Sequence, residues 1–381
     1  MTPGVPTREQ LLRKVQDLVP VLKQSAAESE KQRRLCEQAV TGLREAGLFK
    51  LWCPREVGGY DLDFTTQIDV MMALARADMS ACWNVMIGCS LSAVMATGLD
   101  DAGLDEIFTS ARWPVAAGAL KPSGQAEARE DGFVVNGKWG FGSGIHHSDW
   151  IVANCLQYHN GDLLKPVKPL SAVIPVSQVQ IIDDWYVSGL AASGSSSYAV
   201  KDVFVPKHRL LSSTPRRGSP HNRSMFPRLP IEHASVSLGG ARHALDEVAQ
   251  QAITKRRLTD PQTVSTKQAF HVDLGRLEAE WETLYAGVRD NADLLSHALT
   301  DRPEKADDAR MRLRAICAHT TERCHAIGVK ALRQAGAGAV HSSNVLQRIV
   351  RDLNVSAQHV MVSDVSYEDY GRALIGASTP V

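Results

Sequence analysis

The chain has 381 residues, 44% hydrophobic and 22% charged, enough to bury a sizeable core over more than one domain. Lysine plus arginine and aspartate plus glutamate balance at 42 each, and the basic pairs (Arg33-Arg34, Arg216-Arg217, Lys255-Arg256-Arg257) are scattered, which argues against nucleic-acid binding. No run approaches 18 apolar residues and no basic-then-apolar leader opens the chain, so neither a membrane span nor secretion is expected; seven dispersed cysteines without a C-x-x-C pair suit reduced thiols in a cytoplasm.

Residues 1–112 predict a helical domain. Apolar positions recur at three- and four-residue spacing from Arg8 to Phe49, with Gly47 as a helix stop. After the loop "CPREVGGYDLDF", a second run from Thr65 to Gly98 is small or apolar on every side, the pattern of a buried helix. The texture changes at Trp113. Short β-rich segments separated by turn residues predict a β barrel or sandwich over 113–212, with Asp131-Gly132 and Asn136-Gly137 as tight hairpin turns. A polar, basic stretch within 213–230 predicts an exposed linker. Residues 231–381 then predict a bundle of four long helices, the last running from Ser343 to Leu374. The fold class is therefore α+β: helices, a β domain, then a helical bundle.

The segment "NGKWGFGSGIHHSDW" (136–150) carries most of the candidate chemistry. His146, His147 and Asp149 are metal-ligand types, but neighbours on a strand point apart and no second cluster supports them. "GFGSG" lacks the lysine of a phosphate loop and the βαβ context of a dinucleotide fold. Ser143 has glycine directly on both sides, which does not match the G-x-S-x-G of a nucleophile elbow. The remaining readings are a bulged strand end, or a cofactor wall in which glycines let backbone approach a flat ligand beside the Ser143 hydroxyl. Further on, Trp185 precedes the hydroxyl-rich Ser193–Ser197, and "QAGAGA" (334–339) joins a small-residue turn to a helix bearing Arg348, Arg351-Asp352 and His359.

Taken together, "PREVGGYDLDF", "GLAASGSSSYAVKDVFVP", "ASVSLGGARHALDEVAQQAITKR" and "QAGAGA…LQRIVRD" resemble, in this order, segments of the acyl-CoA dehydrogenase fold superfamily. That resemblance implies an N-terminal helical domain, a middle β domain and a C-terminal four-helix bundle. Dehydrogenases of this fold carry a glutamate base at one of two places. Nine residues after Arg351 this chain has Val360, and at the start of the bundle it has Leu229, with Glu232 one turn away. His359, eight residues after Arg351, and "ALKPSGQAEAREDGFVVNGKWGFGSGIHHSDW" are instead similar to the oxygenase components of two-component flavin-dependent monooxygenases.

On that resemblance the chain is expected to take reduced FMN or FAD from a separate flavin reductase, and to use it with O2, through a C4a-hydroperoxide, to hydroxylate a small aromatic substrate. Its implied catalytic residues are Ser143, beside the flavin N5, and His359, which either deprotonates a phenol or orients the distal oxygen. The implied flavin contacts are Trp139, Phe141, Gly142, Ser143, Pro122, Ser123, Ser193, Ser195, Gln334, Gly336 and Gly338. Trp83, His146 and His359 would line the substrate pocket, with Trp83 and Phe141 keeping it dry. A homotetramer is implied, with Gln334–Ala339 completing a neighbour's flavin site. The competing expectations are an FAD-dependent acyl-CoA dehydrogenase and a non-catalytic relative.

Overall fold

Capping residues decide where the N-terminal helices begin. In the computed structural model, which describes residues 4–258 and 260–376, Thr7 and Gln10 form a reciprocal cap that opens α1 (Arg8–Gln32). The expected long first helix is broken: Arg33 turns left-handed at φ 55° and α2 (Glu37–Glu45) follows, ending before Gly47 at φ 75°. Asp63 caps α3 (Phe64–Ala77), and Asp78, in extended backbone, caps α4 (Met79–Gly98), so the second run is also two helices. Asp100 caps α5 (Asp101–Phe108). By length and composition α4 could cross a membrane, but 89% of its apolar window is buried inside the fold, which makes it a core helix.

The middle sheet is organised around β4 (Trp150–His159). Along one edge of β4, β1 (Ala116–Gly118) and then β2 (Gly124–Arg129) pair in parallel. Along its other edge run β5 (Asp162–Leu163) and β6 (Pro169–Pro175), both antiparallel. The sheet continues from β2 to β3 (Gly132–Trp139), β8 (Ser197–Pro206) and β7 (Gln180–Ile182). The first expected hairpin turn falls on Glu130-Asp131, one residue early. The second does not exist. Asn136 and Gly137 lie within β3 opposite Gln125 and Val200, at an irregularity in its pairing with β8. Asn136 Oδ1 accepts the Asp202 backbone N–H there, and a Cβ on Gly137 would stand 2.7 Å from Gly124 Cα.

The linker is less free than its composition implied. Ser219 and Asn222 bond to Asp61, Arg217 donates to the carbonyls of Ala96 and Leu99, and Arg228 is fully buried. Its polar side chains fasten it to the N-terminal helices. α6 (Leu229–Thr254) opens at its end, followed by α7 (Gln268–Asp301) and α8 (Ala306–Ala335). The expected fourth long helix is two short ones, α9 (Val345–Ser356) and α10 (Val365–Leu374). His359 lies in the break between them, where its ring accepts the Met361 backbone N–H. The helices share one apolar core, and the sheet has its own around Trp139 and Tyr198, stacked with centroids 5.3 Å apart.

Candidate active site

A cavity of about 580 Å³ lies where α4, the sheet, the start of α6 and the α9–α10 break meet. That volume is in the range of small-molecule sites. From α4 it takes Trp83, Ile87, Ser90 and Leu91, a single helical stripe. The sheet supplies Gly118–Lys121, Ser123, Trp139, Gly140, Phe141 and Ser143, and the loop before β8 supplies Trp185, Leu190, Ser193 and Ser195. Met225, Leu229, Val355 and Gln358–Val360 close it from the helical side.

Three hydroxyls form a continuous row along one wall. Ser143 Oγ lies 2.7 Å from Ser195 Oγ, and Ser195 Oγ lies 2.7 Å from Ser193 Oγ. Trp83 Nε1 donates to Ser143 Oγ at 3.2 Å. All three serines are buried. The glycines beside Ser143 serve the fold and not the ligand. A Cβ on Gly142 would come within 2.8 Å of the Tyr198 ring, and Gly144 holds φ 75° against Asn84. The open glycine is Gly140, where a Cβ would meet nothing nearer than Ser197 Oγ at 3.6 Å.

The Arg351-Asp352 pair holds the loop that carries Ser193 and Ser195. Asp352 accepts the Leu190 backbone N–H at 2.6 Å, and Arg351 donates to the Ser188 carbonyl at 2.7 Å. Leu190 is thereby kept in left-handed backbone at φ 49°. Burial raises the Asp352 carboxyl to about 7.

His359 sits over the helical end of the cavity. Its Nδ1 accepts the Met361 N–H at 3.2 Å, so in the neutral ring the hydrogen is on Nε2. Burial lowers its pKa to about 4, which keeps the ring neutral near pH 7. Trp83 meets it edge-on at 6.0 Å, and His233 lies behind it with ring centroids 4.0 Å apart. His233 is fully buried and neither ring nitrogen has a partner among the described residues; burial and then His359 hold its pKa well below the usual histidine range.

Of the expected site residues, the fold brings Trp83, Ser123, Trp139, Phe141, Ser143, Ser193, Ser195 and His359 to one cavity. Phe141 is 73% exposed and packs edge-on to Trp185, so it guards the mouth and is not a dry inner wall. Pro122 and Gly142 do not line the cavity, and neither do Gln334, Gly336 and Gly338; Gln334 donates to Asp273 instead. His146 is also outside it. The His146–His147 segment is a 3-10 turn, with His146 Nε2 on Ser196 Oγ at 3.0 Å. His147 does not face solvent: its Nε2 is buried, and burial lowers its pKa to about 4. Asp149 is bound to Arg44 and the Val115 N–H.

Both positions that the resemblance assigns to a dehydrogenase's glutamate face the cavity, and they hold Leu229 and Val360. Glu232 does not line it. Its carboxylate accepts from Arg228 Nε at 2.7 Å and from Ser90 Oγ at 2.8 Å, and burial raises it to about 7 against the pull of Arg228. The sequence reading missed Ser90 and His233. The helix around Ser90 is apolar on every side, so no periodicity marks its cavity stripe, and His233 becomes notable only beside a residue 126 positions later (359 − 233).

His147, remote from the cavity chemistry, allows a clean acid-stability measurement. Its pKa is about 4 folded against an ordinary value near 6.5 unfolded, so its stabilising contribution is complete above 6.5 and is lost as pH falls toward 4. His147→Gln is expected to gain roughly 3 kcal/mol on the parent across that window in urea unfolding. Identical pH dependence in the two proteins would refute the assignment.

The donor set fits a flavin: a cavity with indole walls, apolar side chains and one row of hydroxyls can take a planar ring system with polar atoms along one side. Comparison with known proteins agrees with this chemistry. Residues 6–107 match the acyl-CoA dehydrogenase N-terminal domain and residues 231–364 the acyl-CoA dehydrogenase C-terminal domain. The chain is 27% identical to a pigment production hydroxylase of Rhodococcus sp., over 96% of each chain. It is 24% identical to the p-hydroxyphenylacetate 3-hydroxylase oxygenase component of Acinetobacter baumannii, over 96% of this chain and 89% of that one. Among solved structures, XiaF from Streptomyces sp., in complex with FADH2 and glycerol, superposes with a TM-score of 0.87 at 27% identity, covering 98% of this chain and 97% of that one.

Proposed function

The chain belongs to the acyl-CoA dehydrogenase superfamily, and from that premise we propose that it is the oxygenase component of a two-component flavin-dependent monooxygenase that hydroxylates a small aromatic substrate. One observation carries the choice over a dehydrogenase: Leu229 and Val360 face the cavity where a proton-abstracting carboxylate is required. Reduced FMN or FAD, delivered by a separate reductase, supplies the two electrons with which O2 is split between the product hydroxyl and water.

The chain's own residues bind, orient and keep water out. Ser143, Ser195 and Ser193 would hold the flavin edge, with Trp139 and Trp185 as apolar walls and Ser123 at the rim. Ser143 is set by Trp83, which would keep its hydroxyl in place beside a bound flavin. Trp83, Ile87, Leu91, Met225 and Leu229 make the inner chamber apolar, which limits unproductive loss of oxidant as H2O2. His359 offers its Nε2–H to an oxygen atom in that chamber. Of its two expected roles, orientation of oxygen is the one that this tautomer favours over deprotonation of a phenol.

We place the protein in the cytoplasm as a homotetramer. Seven free cysteines, six of them buried, support a reducing compartment. Gln334, Gly336 and Gly338 lie off the chain's own cavity beside Val340, which is 73% exposed, and this supports a role for that turn in a neighbour's flavin site.

The experiment is to mix the protein anaerobically with chemically reduced FMN or FAD, admit O2, and follow the return of the oxidised-flavin absorbance. The monooxygenase reading expects that return to be delayed relative to free flavin, without added substrate. Reoxidation at the free-flavin rate refutes it. Bleaching of bound FAD by an acyl-CoA would install the dehydrogenase in its place.

A further inference from the structure

Ser90 has a fixed hydrogen-bond polarity. It lies on the cavity stripe of α4 and is 1% exposed, and its hydrogen goes to Glu232 Oε2 at 2.8 Å. Arg228 Nε occupies the other oxygen, Glu232 Oε1, at 2.7 Å. Above about pH 7 Glu232 is ionised and both its oxygens accept, and it cannot turn without abandoning a guanidinium that is 0% exposed. Arg228 is held in turn by the Asn222 carbonyl and lies 5.2 Å over the Trp52 ring. With Glu232 ionised, Ser90 Oγ has only lone pairs left to offer a ligand in the cavity that it lines.

The surroundings make that acceptor selective. Its neighbours on that wall, Ile87, Leu91, Met225 and Leu229, are apolar, and the other polar groups of the cavity include the serine row, Gln358 and His359. Among the described residues lining the cavity, the one side-chain cation is Lys121, which is exposed, and a carboxylate stands directly behind Ser90. An anionic substituent placed inside would be desolvated without a counter-charge. A buried acceptor left without a donor is costly, and one that receives an O–H or N–H is not.

We propose that the substrate is an uncharged aromatic molecule carrying an O–H or N–H donor, and that Ser90 Oγ accepts that hydrogen. This rests on the monooxygenase reading for the identity of the cavity as the substrate site. Ser90 is then the residue that selects phenols and indoles over their capped or acidic analogues, and Glu232 with Arg228 is the positioning pair that fixes its direction.

The test is calorimetric titration at about pH 8.5, where Glu232 is ionised, of the enzyme loaded with reduced FMN, under nitrogen, with 4-methylphenol, 4-methylanisole, indole, 1-methylindole and 4-hydroxyphenylacetate. In the parent protein 4-methylphenol is expected to bind about tenfold tighter than 4-methylanisole, and indole about tenfold tighter than 1-methylindole. 4-Hydroxyphenylacetate is expected to bind more weakly than 4-methylphenol. In Ser90→Ala both donor ratios collapse to about twofold or less, because the capped probes keep their affinity. Ser90→Cys, a closer match in shape with a weak acceptor, gives the same collapse if the alanine variant does not fold. Ratios near one in the parent, ratios preserved in a folded Ser90 variant, or no binding of any probe at millimolar concentration would overturn the proposal. Free-flavin reoxidation kinetics in the substrate-free parent would sink the monooxygenase reading alone, since the binding ratios need no turnover.

Discussion

Replacing His359 by alanine is expected to uncouple oxygen consumption from product formation. Hydroxylated product should fall by about 10²–10³-fold, the loss typical of one preorganised donor, while reduced flavin is still consumed and H2O2 takes the place of product. The expectation follows from the break between α9 and α10, which turns Nδ1 onto the Met361 N–H and leaves Nε2–H for the cavity. Glutamine can place an amide N–H near the same point, so His359→Gln should recover roughly tenfold over alanine. A histidine acting as a base predicts the opposite, with glutamine as inactive as alanine. With its pKa held near 4 by burial, the ring is neutral at any pH above about 5, and only as pH falls through 4 does Nδ1 take a proton and give up the Met361 N–H. The contribution of His359 to the pH–rate profile should be flat from pH 5.5 to 8. Product yield and peroxide, measured together in the alanine and glutamine variants, decide between the two roles.

The second large effect is on stability. Glu232→Ala strands the Arg228 guanidinium, which is 0% exposed and already has one nitrogen, Nη2, without a partner among the described residues. Breaking a buried pair from one side costs about 3–5 kcal/mol, which for a chain of this size is a thermal midpoint roughly 10 °C lower. Arg228→Met with Glu232→Leu removes both charges and should restore most of the loss. A single variant within about 1 kcal/mol of the parent would contradict the buried pair. The same result would reopen Glu232 as a mobile base over the flavin.

The order of helices, β domain and helices was legible because periodicity changes at Trp113 and again after the linker, and hydrophobic period is a local property. The breaks within runs were not. Arg33, Asp78 and Ala357–Ser363 interrupt patterns that remain periodic across them, and tertiary contacts decide where such a pattern is cut. Asn136-Gly137 carries a strong turn signal that the sheet overrides, since β2 and β8 pair on both sides of it. In the site, Ser143, Ser193 and Ser195 were legible from their glycine and hydroxyl setting. The pairing of Ser90 with Glu232, 142 residues apart, was not, because it is made only when α4 packs on α6. His146 and His147 illustrate the converse: two adjacent imidazoles draw attention in a sequence, yet a 3-10 turn directs them away from the cavity.

The serine row has one irreversible end. An indole N–H can only donate, so Ser143 must accept from Trp83, but each hydroxyl beyond it can point either way. If Ser193 donates to Ser195 and Ser195 to Ser143, Ser143 has its hydrogen free for the cavity; if the row runs backward, Ser143 keeps only a lone pair and the free hydrogen moves to Ser193. Rotating three O–H bonds exchanges the two without moving a heavy atom. Reduced and oxidised flavins differ in whether a central ring nitrogen bears hydrogen, and a wall of this kind would meet either form if the proposed site holds one. Such a row can reverse its polarity while Trp83 stays its fixed end, and a phenylalanine at that position would remove the anchoring N–H together with part of the indole wall.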